Sequence, residues 1–316
     1  MADSNPARVT RILPYGEAGV AEAAAIIAAG GCVAAPTETV YGLAADATNA
    51  RAVAGIYAAK GRPGFNPLIV HVSDLAAAEQ LAAFDDRARA LAGRYWPGPL
   101  TLVLPQRAGS GIASLVTAGL DTIAIRVPAH RAMQALLVAT GTPLAAPSAN
   151  ASGTISPTRA AHVLTSLGGR IDAILDDGPS QAGIESTIIG LAGAARMLRP
   201  GPVSARSIEA VLGFELADAG EAISAPGQLA SHYAPRKAVR LNATTARDDE
   251  WLIGFGDVVG DDSLSPDGDL IEAASRLFDA LHRADASAAA CIAVAPISYD
   301  DIGAAINDRL ARAAVR

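Results

Sequence analysis

KGRPGFNPLIVH, residues 60–71, joins a helix-like segment to a strand-like one through a loop stiffened by two prolines. Upstream, NARAVAGIYAAK (49–60) offers Asn49 as an N-cap and apolar residues at helical spacing. Downstream, PLIVHV is short, apolar and rich in β-branched residues, the composition of a strand. Helix, rigid polar loop and strand in that order mark an α/β fold with its polar motifs at strand ends. Lys60 stands out, because the chain's 25 basic residues include only two lysines, Lys60 and Lys237. A compact ammonium makes a point contact that a planar guanidinium does not. Lys60 therefore reads either as a contact to phosphate or as a solvated charge on a turn. Arg62 and Asn66 sit on the same loop, where Pro63 and Pro67 would hold them ready for an anion at low entropic cost. His71 ends the strand, as a structural hydrogen-bonder or as part of a site.

Other segments repeat the pattern. AEAAAIIAAGG reads as a helix closed by Gly30 and Gly31, followed by the strand CVAAP. LTLVL, TIAIRV and STIIGL read as strands, and SPTRAAHVLTSLGG as a helix with a Ser or Thr cap and a glycine stop. Beyond residue 237, AVRLNA, EWLIGFG and CIAVAPIS alternate with the helices DLIEAASRLFDALHRAD and DIGAAINDRLARAAV, a second, small α/β unit. Between them, residues 217–237 lack periodicity and contain Gly and Pro, as a linker does.

The whole chain agrees with this division. At 316 residues it exceeds the roughly 250–300 at which a single core stops growing. A 51% hydrophobic and 18% charged composition is that of a globular protein. The net charge of −7 lies entirely beyond residue 237: residues 1–237 carry 18 basic and 18 acidic side chains, residues 238–316 carry 7 and 14. The expected domains are thus 1–216, a linker or lid at 217–237, and 238–316. An acidic second domain makes a poor nucleic-acid arm. No apolar run of about 18 residues suits a membrane span, and MADSNPARVTRILPYG lacks the pattern of a secretion signal. Cys32 and Cys291 match no metal or redox spacing and read as two reduced, buried thiols of a cytoplasmic protein.

No P-loop, GxGxxG turn, HExxH, GxSxG elbow or Cys/His metal cluster occurs. PTETVYGLAADA (36–47) reads as a strand-end loop, by turn chemistry alone or facing a ligand crevice. DTIAIRVPAH (121–130) places Arg126 inside an apolar strand, where it needs an internal salt bridge or a substrate carboxylate. PLAAPSANASGTISPT (143–158) concentrates small hydroxyls, among them Ser148 and Ser156, where backbone N–H groups can also meet phosphate oxygens. Ser186 and Arg199 fall at further strand ends. Five anion-friendly loops on one sheet amount to a site.

PTETVYGL, KGRPGFNPLIVHV, WPGPLTLVL, IAIRVPAH, PSANASGTISPT, GIESTII and LRPGPVS, in this order over about residues 10–210, resemble the threonylcarbamoyl-AMP synthases. APGQLASHYAP and the acidic tail resemble the longer, two-domain members. The resemblance implies a YrdC-like open twisted mixed sheet with helices, then a linker and a small Rossmann-like α/β domain. It implies a nucleotidyltransferase making threonylcarbamoyl-AMP and pyrophosphate from L-threonine, bicarbonate and ATP. A separate threonylcarbamoyl transferase would consume the product to modify position 37 of ANN-decoding tRNAs. By resemblance, Thr39, His71, Arg126, Ser186 and the Ala146 backbone hold threonine. Arg62, Asn66, Thr122, Ser148, Ser156, Arg199 and Tyr233 hold ATP. Lys60, with Arg62, is the catalytic candidate facing phosphate or the bicarbonate-derived group; Mg²⁺ would accompany ATP, with no side-chain metal cluster and no tightly bound cofactor.

Two other classes compete. An RNA-binding module would need basic stripes and interleaved aromatics, which the neutral first 237 residues lack. A carbamoyl transferase of hydrogenase maturation would carry zinc-finger and acylphosphatase segments, which are absent from this chain.

Overall fold

The computed structural model describes residues 9–217 and 232–315. Most of the segment read as a linker, residues 218–231, lies outside the described residues. In chain order the first strands are β1 (Arg11–Pro14), β2 (Val33–Pro36), β3 (Tyr41–Asp46), β4 (Ile69–His71) and β5 (Leu100–Pro105). They continue with β6 (Thr122–Arg126), β7 (Leu144–Ala145), β8 (Ala173–Asp176), β9 (Thr187–Gly190) and β10 (Arg196–Arg199). These ten form one sheet in the order β1-β8-β2-β3-β7-β4-β6-β5-β9-β10. It is mixed: β1/β8, β2/β8, β4/β6 and β5/β9 pair in parallel, whereas β2/β3, β3/β7 and β5/β6 are among the antiparallel pairs.

The helices are α1 (Glu17–Ala28), α2 (Ala50–Lys60), α3 (Leu75–Leu81), α4 (Asp86–Tyr95), α5 (Ser114–Thr117), α6 (Arg131–Thr140), α7 (Ala160–Leu167) and α8 (Ala205–Leu212). One core packs residues of α2, α3, α4, α7 and α8 against the sheet. On the opposite face, α1 and α6 cover β1, β2, β3, β7 and β8. Strand alternation turns Ile69, Val103, Ala124 and Ile188 to a third cluster, which contains no helical residue. By the same alternation Thr122 and Arg126 of β6 share that face with Ala124.

Local chemistry explains the elements. The Asn49 side chain accepts from the Arg51 and Ala52 amides and starts α2. Gly61, at φ 59°, ends it in a left-handed cap that a side chain would strain, so the chain turns immediately after Lys60. PTETVYGLAADA is a loop only over its first residues. The Thr37 hydroxyl donates to the Val40 carbonyl at 2.7 Å and closes a turn, freeing Tyr41–Asp46 to pair with β2 as a hairpin. α7 lacks the expected Ser or Thr cap: Arg159 holds the cap position without a side-chain bond. Ser156 is engaged by Glu185 instead, and Thr158 lies against the His162 ring.

The second sheet comprises β11 (Ala238–Arg240), β12 (Glu250–Gly254), β13 (Asp262–Ser263) and β14 (Cys291–Val294), in the order β11-β14-β12-β13, all parallel. α9 (Leu270–Ala286) and α10 (Gly303–Ala314) pack on it. Cys32 is buried, but Cys291 is only half-buried, being at the start of its strand; neither is in a disulfide among the described residues. The second core also takes in Val40, Ile155, Ile184 and Tyr233, so apolar packing is continuous from one sheet unit to the other. Gly183, at φ 72°, sits so close to α9 that a Cβ there would lie 2.4 Å from two of its carbonyl oxygens. Arg159 adds an ion pair to Asp279, and the His162 and His282 rings stack 3.8 Å apart across the same seam.

Candidate active site

Parallel pairing of β4 with β6 puts His71 level with Arg126 at the strand ends. Both are buried and line one cavity with Thr37, Thr39, Ala146, Ser148, Glu185, Ser186, Arg62, Arg199, His232 and Tyr233. Nine of the thirteen residues expected from the sequence meet there: Thr39, His71, Arg126, Ala146, Ser186, Arg62, Ser148, Arg199 and Tyr233. Lys60, Asn66, Thr122 and Ser156 do not line it.

Arg126 is held on three sides. Its Nε donates to the Gly98 carbonyl at 3.1 Å, and Nη1 donates to Thr39 Oγ1 at 2.8 Å. Nη2 lies 2.6 Å from Glu38 Oε1, an ion pair by distance that is not aligned as a hydrogen bond. The two roles weighed for Arg126 are therefore not exclusive, since Nη2 still has a hydrogen bond to give. Thr39 Oγ1 is 2.8 Å from Thr37 Oγ1. Thr37 already donates to Val40 and Thr39 accepts from Arg126, so the Thr39 proton points to Thr37. His71 is neutral: burial, reinforced by Arg126, pushes its imidazole down to about 3. Its Nδ1 has no hydrogen-bond partner among the described residues. The Ala146 amide donates to Ile69, leaving its carbonyl as the group it can offer a ligand.

Across the cavity, the Ser186 hydroxyl is 2.7 Å from Thr101 and accepts from Arg199 Nη2 at 3.1 Å. Arg199 also donates through Nε and Nη2 to the Ser186 carbonyl. Arg62 donates to the Asn66 and Pro67 carbonyls and meets the Tyr57 hydroxyl. Two buried guanidiniums thus face the cavity, and among the described residues neither forms an ion pair with a carboxylate. Burial brings Arg62 down to about 10 against an opposing pull from Tyr57, and its repulsion with Arg199 adds to the fall. A buried cation bound only to neutral oxygens is costly unless an anion joins it.

Lys60 is neither a solvated turn residue nor a lining group. Its Nζ is buried behind the cavity and donates to the Ser148 and Asn150 carbonyls. Burial, then Arg62, hold the ammonium well below its ordinary range. Asn66, whose carbonyl accepts from Arg62, has both side-chain amide atoms buried and unpartnered among the described residues. By register Thr122 stands level with Pro67, on the same face as Arg126 but four residues down the strand. Ser156 stands behind Glu185 and donates to it.

Tyr233 is almost fully buried, at φ 63°, a strained conformation for a side-chain-bearing residue. It packs against Phe278, 5.6 Å between centroids, and its hydroxyl has no partner among the described residues. Of ten buried, unpartnered side-chain atoms among the described residues, four belong to cavity-lining side chains: His71, Arg126, His232 and Tyr233. Folded proteins avoid such atoms elsewhere, so their concentration here marks a place for a ligand. The free volume is only about 40 Å³, so a large ligand would have to displace the lining.

Five contributors have no assigned role in the sequence reading: Thr37, Glu38, Glu185, His232 and Arg309. Glu185 stands inside GIESTII, next to Ser186. Arg309, on α10, shares a helix stripe with Ala305, Ile306 and Leu310, and a cation on an apolar stripe is the signal for it.

Comparison with known proteins decides the family. A family model described as "Telomere recombination" matches residues 25–201, and one described as "Threonylcarbamoyl-AMP synthase, C-terminal domain" matches residues 203–315. Threonylcarbamoyl-AMP synthase of Pyrococcus abyssi is 39% identical over 316 residues, covering 92% of each chain. The chain belongs to the threonylcarbamoyl-AMP synthases. The Bacillus subtilis synthase is 47% identical over 234 residues, 72% of this chain and 67% of the relative. The crystal structure of P. abyssi Sua5 complexed with L-threonine superposes with a TM-score of 0.88 at 36% identity, covering 97% of both chains. The mixed sheet followed by a small parallel-sheet domain is thus the architecture of the synthase family. No described helix is long and apolar enough to cross a membrane.

Proposed function

We propose that this cavity takes L-threonine, bicarbonate and ATP and makes threonylcarbamoyl-AMP and pyrophosphate. The observation that carries this reading is the pair of buried guanidiniums, Arg62 and Arg199, in no ion pair with a carboxylate among the described residues, beside a pocket built from Thr39, His71, Arg126 and Ser186. Arg126 Nη2 would receive the threonine carboxylate, and the Ser186 hydroxyl would bond the amino acid's polar groups. His71 would accept from the amine at its free Nδ1. The threonine ammonium and bicarbonate give a carbamate, water and a proton. A carbamate oxygen then attacks the α-phosphorus of ATP as the bond to the β-phosphate oxygen breaks, releasing pyrophosphate. Nothing in this sequence needs a covalent enzyme nucleophile. The protein's part is positioning and neutralisation of phosphate charge.

Arg62 and Arg199 would flank the phosphates, with Ser148 and Ser156 nearby, and Asn66 and Thr122 would meet the base and ribose once the ligand displaces the lining. Tyr233 would close over the nucleotide and keep water from the adenylate. Mg²⁺ would accompany ATP. Among the described residues no group of three His, Cys, Asp or Glu could hold a metal, and Glu185 is already paired, so the phosphates would carry the ion. The product would pass to a transferase that modifies adenosine 37 of ANN-decoding tRNAs. The test is mass spectrometry of reactions from which threonine, bicarbonate or ATP is omitted in turn. Threonylcarbamoyl-AMP must form only with all three; ATP consumption that ignores threonine would refute the reading.

A further inference from the structure

Arg309 lies on the second domain's last helix yet has no exposed surface. Its guanidinium crosses the seam. Nε donates to Glu185 Oε2 at 2.9 Å, and Nη1 donates to the Pro200 carbonyl at 2.9 Å and to Asp308 at 2.8 Å. The guanidinium carbon stands 5.2 Å from the centre of the Tyr233 ring. Each contact outside its own helix leads directly to the cavity. Glu185 lines it and precedes Ser186, Pro200 follows Arg199, and Tyr233 lines it as well. A desolvated guanidinium is a poor choice for packing alone, since an apolar side chain of that volume would serve as well.

We propose that Arg309 is a positioning residue for the synthesis: from the second domain it fixes Glu185, Pro200 and Tyr233, and through them the Ser186, Arg199 and tyrosine walls of the cavity. This rests on the reading of the cavity as the threonine and nucleotide site. The second domain is then part of the active site's frame rather than only a support for a lid. Glu185 is faced by Lys60 from α2, Arg199 from β10, Ser156 ahead of α7, His232 and Tyr233 ahead of β11, and Arg309 from α10. Among these, Arg309 alone forms an ion pair with it. Burial by itself would raise the Glu185 carboxyl; Arg309 first, then Arg199 and the Ser156 hydroxyl, turn that into a net fall. Without Arg309, burial regains ground and Glu185 protonates at higher pH.

The experiment compares Arg309→Met, Arg309→Lys and the double variant Arg309→Met/Glu185→Gln for product formation across pH, with melting curves for each. Arg309→Met is expected to lose about 100-fold in kcat/KM, the scale of a misplaced reacting group, and its acid limb should move to higher pH. Removing the stranded charge in the double variant should recover at least tenfold and abolish the displaced limb. Arg309→Lys, whose point charge cannot serve Glu185 and Pro200 together, should fold and still lose about tenfold. A folded Arg309→Met with wild-type kcat/KM and an unmoved limb would overturn the proposal. So would an activity loss that Glu185→Gln does not relieve. If Arg309→Met does not fold, a fully active Arg309→Lys would overturn it equally. Failure of the wild-type protein to form product in the same assay would instead sink the reading of the site.

Discussion

Mild acid should unfold this protein through its histidines before its carboxylates protonate. His71 and His232 are buried, and burial above all pushes each imidazole down to about 3. His282 is pushed down to about 4 by burial and then by the stacked His162. In the unfolded chain each titrates near 6.5. Between these values the unfolded state binds protons that the folded state refuses, so stability is complete above pH 6.5 and falls as pH drops toward the folded values. At pH 5 the difference is roughly 1.5 pH units per ring, or about 2 kcal/mol each and about 6 kcal/mol for the three. That rivals the whole stability of many domains, roughly 5–15 kcal/mol. Urea denaturation from pH 7.5 to 5 should show this loss, and His71→Gln should remove about a third of the slope. Stability that stays flat down to pH 5, or a His71→Gln variant with the wild-type slope, would refute the reasoning. Either result would place charged, solvated rings in the native protein.

Two substitutions separate positioning from direct contact. Lys60→Met strands the buried Ser148 and Asn150 carbonyls at about 1–3 kcal/mol each, so melting temperature and activity should fall together; an activity loss of roughly 100-fold without a melting change would mean that Nζ works on the ligand itself. Tyr233→Phe removes only a hydroxyl that has no partner, so it should leave the melting temperature within a few degrees while weakening ATP binding severalfold, and unchanged ATP affinity by calorimetry would remove Tyr233 from the nucleotide site.

The helices and strands whose signals are local could be read directly. Asn49 caps α2 and Gly61 ends it, and TIAIR is a strand because its side chains alternate between two buried faces. Motif residues on one loop, such as Thr39 and Arg62, could be read for the same reason. The rest depends on the fold. That Lys60 points to carbonyls 88 and 90 residues away follows from a loop return, not from its neighbours. Glu38 gains meaning only when β6 brings Arg126 beside it, and Glu185 only when α10 docks. β3 was hidden because turn-like residues precede it and the hydrogen bonds that make it a strand come from β2 and β7. The seam at Gly183 was equally hidden, since nothing in a glycine's neighbours announces that another helix will touch it.

The central claim is that Arg126 and its neighbours form the threonine pocket, distinct from the arginines that take the phosphates. Calorimetry with L-threonine and separately with ATP tests it on Arg126→Leu/Glu38→Gln, in which no buried carboxylate is left unpaired. The account predicts that threonine binding falls by at least 100-fold, the order of a lost charge-assisted pair, while ATP affinity stays within a few-fold of wild type. Threonine binding at wild-type strength, or equal loss of both ligands in a folded variant, would contradict it.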